Sequence, residues 1–521
     1  MPEPRPNMAT SASLSATSQT PSSELVKGLR LYDCTTIVMG SMIGSGIFIV
    51  AAEIAREVRS PGLLLLCWVV SGVMTVAAAV TYGELAGMMP TAGGQYVYLR
   101  EAFGPLFGFL YGWTLFLVIQ TGTLAAVAVA FGKFLGVLVP WVSTQNLLID
   151  LGRIEVFHHA VAVTLSSQQL VAVLSLLFLS VLNIFGLRLG AWVQNVFTTL
   201  KVATLLGLVA FGLWWSHVHP AAAVQKQSLW AGVHWNLTTL TVLSVALVGP
   251  LFSSDAWNNV TFTGSEIVNP KRHLPLALFV GTATVCSLYV ACNWVYLRVL
   301  PFLGSPLASG ALGRGIQYAA EDRVATAAAQ VMLGGKGAIL MAAAIMISTF
   351  GCMNGLILAG ARVYYAMAKD GLFFHAVGRV DPKHHTPAIS LAVQAAWAGL
   401  LTLTGTYSEL LDYVVFAVVL FYALTIAGVF QLRRTRPQAP RPYRAWGYPV
   451  LPAIYIAFAL FVEWALLTHK AGRSLAGLSI VAVGVPVFFL WRQRAVASDG
   501  QKSEVRNQKS EVRSQKPGVR R

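Results

Sequence analysis

Charge is scarce in this chain. Asp, Glu, Lys and Arg make up 11% of its 521 residues, where a soluble domain carries about 25%. With 56% hydrophobic residues, that excludes an ordinary soluble protein and leaves a polytopic membrane protein. Acid is scarcer than base, at 21 Asp and Glu against 37 Lys and Arg. A net charge of +16 would suit a nucleic-acid binder. The positive residues gather in short loops beside apolar runs, however, so no nucleic-acid partner is expected. Cysteine is sparse too. Cys34, Cys67, Cys286, Cys292 and Cys352 all lie in or beside apolar runs, and no two stand at metal-ligand spacing. That argues against a disulfide framework and a zinc site, and no metal or other cofactor is expected. Lys336, in Gly334-Gly335-Lys336-Gly337, lacks the Ser/Thr and the spacing of a phosphate loop. No catalytic constellation shares a face of any apolar run, so an enzyme is not expected. Residues 1–26 are rich in Ser, Thr and Pro without the apolar core of a cleavable signal. They read as a disordered tail.

What is present is a series of long apolar runs. A membrane helix needs about 20 such residues. On that scale there are about twelve spans: 31–56, 62–89, 104–139, 167–186, 190–215, 237–266, 273–300, 325–368, 388–404, 408–432, 447–468 and 472–492. The eighth is long enough for a short surface helix to precede the true span. The membrane domain is expected over 27–492. Residues 493–521, with Gln501-Lys-Ser-Glu-Val-Arg506 repeated at Gln508-Lys-Ser-Glu-Val-Arg513, read as a basic disordered tail. The loop from Arg433 to Arg444 holds five arginines and no acid. Lys271, Arg272, Lys369 and Lys383 fall on the same side in this count. That side is expected to be cytoplasmic, with both termini inside the cell membrane.

Two spans are interrupted. The first runs Gly40-Ser-Met-Ile-Gly44-Ser45-Gly46, and glycine costs a helix interior about 1 kcal/mol against alanine. The other is span six, where Gly249-Pro250-Leu-Phe252-Ser-Ser-Asp255-Ala-Trp257-Asn258 breaks the run near its middle. Freed backbone inside a bilayer persists where it lines a cavity and binds something. A pair of broken spans in corresponding halves points to a transporter's binding site. Spans one and six imply a five-plus-five repeat, about 31–215 and 237–432, followed by extra helices over 447–492. A Gly-xxx-Gly packing face at Gly40 and Gly44 is the plain alternative for the first break.

Five motifs in order carry a resemblance. They are Gly40-to-Phe48, Tyr82-Gly-Glu-Leu with Pro90-to-Leu99, Asp255-to-Phe262 with Glu266-to-Pro270, Arg362-to-Gly371, and Arg441-to-Arg444 with Tyr448-to-Pro452. Together they resemble the amino acid–polyamine–organocation superfamily, in its L-type amino acid transporter branch, over 27–492. The resemblance implies an all-α LeuT-type inverted repeat with discontinuous helices 1 and 6, plus two extra helices. It implies a secondary transporter of L-amino acids working by alternating access, through exchange or proton coupling. Animal members carry a cysteine in the loop after span three, disulfide-linked to a heavy chain. Residues 140–166 here hold none, so no such partner is expected.

Candidate site residues follow. Gly44, Ser45 and Gly46 would present amides to a carboxylate at the start of a half-helix. Met42 and Phe252 would offer carbonyls to an ammonium group, with Ile43 beside them. The resemblance makes Phe252 a cover over the substrate, and Trp257 and Asn258 parts of the cavity wall. Asp255, an acid at mid-membrane, is costly and so a functional candidate. It could meet a cationic side chain, carry a proton or cap the broken helix. Lys201 lies too deep in span five to snorkel easily. In sodium-independent relatives a lysine here replaces a bound cation, and it could tether span one to span eight through Ser348. A structural ion pair or a proton carrier are its alternatives. Glu84, Glu266 and Arg362, towards the cytoplasmic ends of their spans, read as interfacial, with inner-gate contacts as the alternative. A polyamine or other cationic-compound transporter, and a membrane amino-acid sensor, are the rival functions.

Overall fold

The computed structural model describes residues 25–156, 159–219, 228–404, 407–472 and 474–492. The tails assigned to 1–26 and 493–521 lie outside it, apart from residues 25 and 26. Among the described residues, ten helices are long and apolar enough to cross a membrane. Leu237–Ser253 and Ala388–Leu403 are shorter apolar helices at the sixth and ninth spans. The chain is a multi-pass, all-α membrane protein.

Span one is built in three pieces: α1 (Leu31–Met42), α2 (Gly46–Ile49) and α3 (Ala51–Val58). Pro61 then opens α4 (Pro61–Met88), with the Ser60 hydroxyl accepting from the Leu63 amide. A short helix α5 (Gln95–Phe103) leads to the third span, where α6 (Pro105–Thr114) and α7 (Gln120–Leu138) meet through a π-helical turn, Leu115–Ile119. Outside the helices lies one antiparallel hairpin, β1 (Leu147–Val156) with β2 (His159–Ser166), Asp150 facing Thr164. Next come α8 (Ser167–Ile184) and α9 (Leu187–Val218). Span six is α10 (Leu237–Ala246), α11 (Val248–Ser253) and α12 (Asn259–Phe262), followed by α13 (Pro270–Val299). After a small α14 (Gly310–Arg314), α15 (Val324–Leu333) precedes the true eighth span, α16 (Gly335–Lys369). Gly334 turns the chain between them at φ +67°, which glycine adopts without strain. The last elements are α17 (Ala388–Thr404), α18 (Tyr407–Thr435), α19 (Val450–His469) and α20 (Ser474–Arg492).

The two breaks are not equally placed by the residues that announced them. Gly40 stays helical, and an added Cβ there would collide with the Gln194 and Thr198 side chains. Gly40 is therefore a packing glycine, while the opening falls at Ile43–Ser45. In span six the sequence pointed to Pro250. Proline only loosens the join at Leu247, because at the third position of α11 its missing N–H belongs to the first turn. The true opening comes later, at Ser254–Asn258, where Ala256 takes φ +63°.

Glu84, Glu266 and Arg362 are buried inside the protein and paired. Arg362 grips Glu266 through two bonds of 2.9 Å, and the side chains are 1% and 0% exposed. Glu84 accepts from Arg433 Nε at 2.9 Å, Arg441 Nε at 3.2 Å and the Ala445 amide at 2.8 Å. The 436–449 connection folds back over Glu84, so depth along α4 alone misjudges its burial. Removing one partner of a buried pair strands the other charge, at a cost of about 3–5 kcal/mol. Arg362→Ala is expected to lower unfolding stability by that amount, read as a large drop in the detergent melting temperature. An unchanged melt would contradict it.

Candidate functional site

Gly44 donates its amide to Met42 O at 2.9 Å, turning away from the helical acceptor at Gly40. The carbonyls of residues 40–44 thus lose their helical partners and must be satisfied otherwise. Lys201, buried near the middle of α9, donates to Gly40 O at 2.6 Å, Ile43 O at 2.8 Å and Ser348 O at 3.3 Å. The Ser348 hydroxyl donates to Ile43 O and Gly44 O at 3.1 and 3.0 Å. The Cys352 thiol reaches Ser41 O at 3.0 Å. One ammonium and two small side chains therefore bind α1's open end to α16. The structure brings Ile43, Gly44, Lys201 and Ser348 into one cluster.

Tyr289 of α13 joins the two breaks. Its hydroxyl lies 2.9 Å from Met42 O and 3.0 Å from Ser253 O. Met42 O also accepts from the Gly44 amide. Phe252 O accepts from the Asp255 amide at 3.1 Å. Gly46 packs directly on α11: a Cβ there would strike the Ser253 side chain and come within 3.2 Å of Ser253 Cα. Ser45 stands at the N-cap position of α2 and is buried, as is Phe252.

A second cluster forms on the other side of the span-six break. Tyr422 of α18 donates to Asp255 Oδ1 at 2.6 Å and lies 3.2 Å from Asn258 Oδ1. Asn258 Nδ2 donates to Gln95 Oε1 at 2.6 Å, and Gln95 Nε2 donates to Thr425 and to Phe421 O. Trp257 stands edge-on to Tyr82 and tilted on Tyr422, ring centroids 4.7 and 5.1 Å away. Two cavities of about 20 and 10 Å³ touch Asp255 and Tyr422, each room for about one water. The π turn contributes Leu115 and Ile119 to the smaller, and such turns often mark functional sites. A cavity of about 820 Å³ opens beyond Ile49 and Val50, on the side away from α1's start. At that start, the Gly28 and Leu29 amides donate to Glu266 O at 2.8 and 3.0 Å.

Tyr289, Cys352, Tyr422 and Gln95 escaped the sequence reading. Each is a single polar group in an apolar or amphipathic helix, without a period to flag it.

The amino acid permease family model matches residues 29–489. The chain belongs to that family. Its relatives include the serine/threonine exchanger SteT of Bacillus subtilis, 28% identical over 90% of this chain and 98% of that protein. The mouse large neutral amino acids transporter small subunit 2 is 28% identical over 89% of this chain and 81% of its own. The mouse b(0,+)-type amino acid transporter 1 is 27% identical, covering 90% of each.

Proposed function

We propose that this protein is a secondary transporter of L-amino acids that works without sodium, binding substrate between the two helix breaks. The observation that carries the reading is Lys201. Its ammonium occupies the junction of α1 and α16, bonded to three backbone carbonyls, and supplies the charge an ion would otherwise bring. The amides at Ser45 and Gly46, at the start of α2, suit a substrate carboxylate. The Asp255 cluster then faces the side chain. The relatives named above are exchangers and transporters of amino acids, which supports that substrate class over a polyamine or a sensor role.

The organisation follows. Spans over 31–215 and 237–432 form the inverted repeat, and the helices over 447–492 are added to it. The cell membrane holds the protein with both termini cytoplasmic, as the arginine-rich loop at 433–444 favours. With no cysteine in 140–166, it works without a disulfide-linked heavy chain. Alternating access then opens the breaks to each side in turn. Purified protein in liposomes, preloaded with unlabelled amino acids and placed in sodium-free buffer, should take up labelled amino acids. Uptake that appears only with a sodium gradient would refute the reading.

Asp255 sets a finer expectation. Asp255→Gly should depress lysine or arginine transport far more than leucine transport, because only a cationic side chain gains from the carboxylate. An equal loss for both would assign Asp255 to the helix break itself, where its bond to Tyr422 matters.

A further inference from the structure

Glu463 takes part in none of these contacts. It lies on α19, thirteen residues past Val450 and so about 20 Å along the helix. The residue is 7% exposed. Both carboxyl oxygens are buried, and neither has a hydrogen-bond partner among the described residues. The carboxyl faces the backbone of α18 at Leu420 without reaching bonding geometry. Glu84 and Glu266, buried as deeply, are each held by arginines. An ionised carboxylate with no donor is the state that a membrane interior penalises most.

The elements packed most closely on α19, among those from α1 to α18, are α18, α10 and α4. α10 has no titratable side chain. α4 carries Cys67, Tyr82 and Glu84, the last tied up by Arg433 and Arg441. α18 brings Tyr422, bonded to Asp255, with Arg433 and Arg434 in its last turn. Tyr407, Glu409, Asp412 and Tyr413 fall where side chains are not described. On α19 itself are Tyr455 and, in the last turn, His469, which contacts Thr468 and Ala465 O. Among the described side chains no cation stands against Glu463.

Tyr455, eight residues earlier on α19 and so about 12 Å along it, lines the cavity of about 20 Å³ together with Asp255 and Tyr422. The cavity has room for about one water.

We propose that Glu463 is a proton-binding site of this transporter, protonated while α19 packs on α18 and titrating when the two helices part. On release the Glu463 O–H bond breaks and a water admitted between the helices takes the proton. Glu463 is left as a carboxylate, a state that the packing of α19 on α18 disfavours. Release is thereby coupled to parting of those two helices.

The inference rests on the transport reading, and two measurements separate their failures. Infrared spectra of the folded protein at neutral pH should show a protonated-carboxyl stretch that Glu463→Gln lacks. Identical spectra would overturn the proposal whether or not the protein transports. Exchange in liposomes should fall about tenfold per pH unit above the point where the group titrates. Glu463→Gln, permanently neutral, should flatten that fall, and Glu463→Asp should keep it. A Glu463→Gln profile matching wild type would overturn the proposal; no exchange by wild type at any pH would instead sink the transport reading. If Glu463→Gln does not fold, Glu463→Met, also neutral, makes the same comparisons.

Discussion

Lys201→Ala should abolish amino acid exchange at every sodium concentration. The break turns the Gly44 amide to Met42 O, and the carbonyl this leaves at Gly40 is held by the Lys201 ammonium. Ile43 O keeps the Ser348 hydroxyl when the lysine is removed, but Gly40 O keeps nothing comparable. A buried acceptor without a partner costs about 1–3 kcal/mol. That shifts an equilibrium between inward and outward forms about tenfold or more. The hold between α1 and α16 also loses the full charge of the ammonium. Substrate binding should weaken yet stay measurable, since the amides at Ser45 and Gly46 are untouched. Flux by stopped uptake and affinity by equilibrium binding separate the two effects. Normal flux in Lys201→Ala, or rescue of the variant by sodium, would show that the ammonium is not what replaces an ion.

Gly46→Leu should eliminate substrate binding outright while the protein still inserts and elutes as a folded species. Even a single Cβ at this position meets the Ser253 side chain, and contacts this close force α2 and α11 apart. A leucine adds three further carbons where the first-turn amides of α2 point. Gly46→Ala should show the same loss in milder form, and Ser253→Gly should restore part of it by making room. Restoration ties the effect to the close approach of the two half-helices. Near-wild-type affinity in folded Gly46→Leu would remove this stretch from the binding site.

The residues that announced this architecture were those whose cost is visible in one dimension. Glycines in an apolar run, an acid at Asp255 and a lysine at Lys201 each contradict their surroundings, so each can be noticed without knowing the neighbours. The first opening lies where Gly44 and Gly46 suggest. The second lies four to eight residues beyond Pro250, because proline at an early helix position loses no bond it would have made. Residues that satisfy a distant group gave no such signal. Tyr289 reaches Met42 across 247 positions and Tyr422 reaches Asp255 across 167, and nothing local distinguishes either from a packing aromatic. Glu84 misleads for a related reason: its place near a span end suggests solvent, whereas Arg441 and the Ala445 amide arrive from a connection that folds back over it.

The most direct test sets one labelled L-amino acid on purified protein in sodium-free buffer and competes it with three unlabelled compounds. These are the same amino acid, its decarboxylated amine and a linear polyamine. A site made of two open helix ends reads the carboxylate and ammonium together. Only the amino acid should then displace the label, and adding sodium should leave its affinity unchanged. If the amine or the polyamine displaces the label equally well, or binding appears only with sodium, the account of the site is wrong.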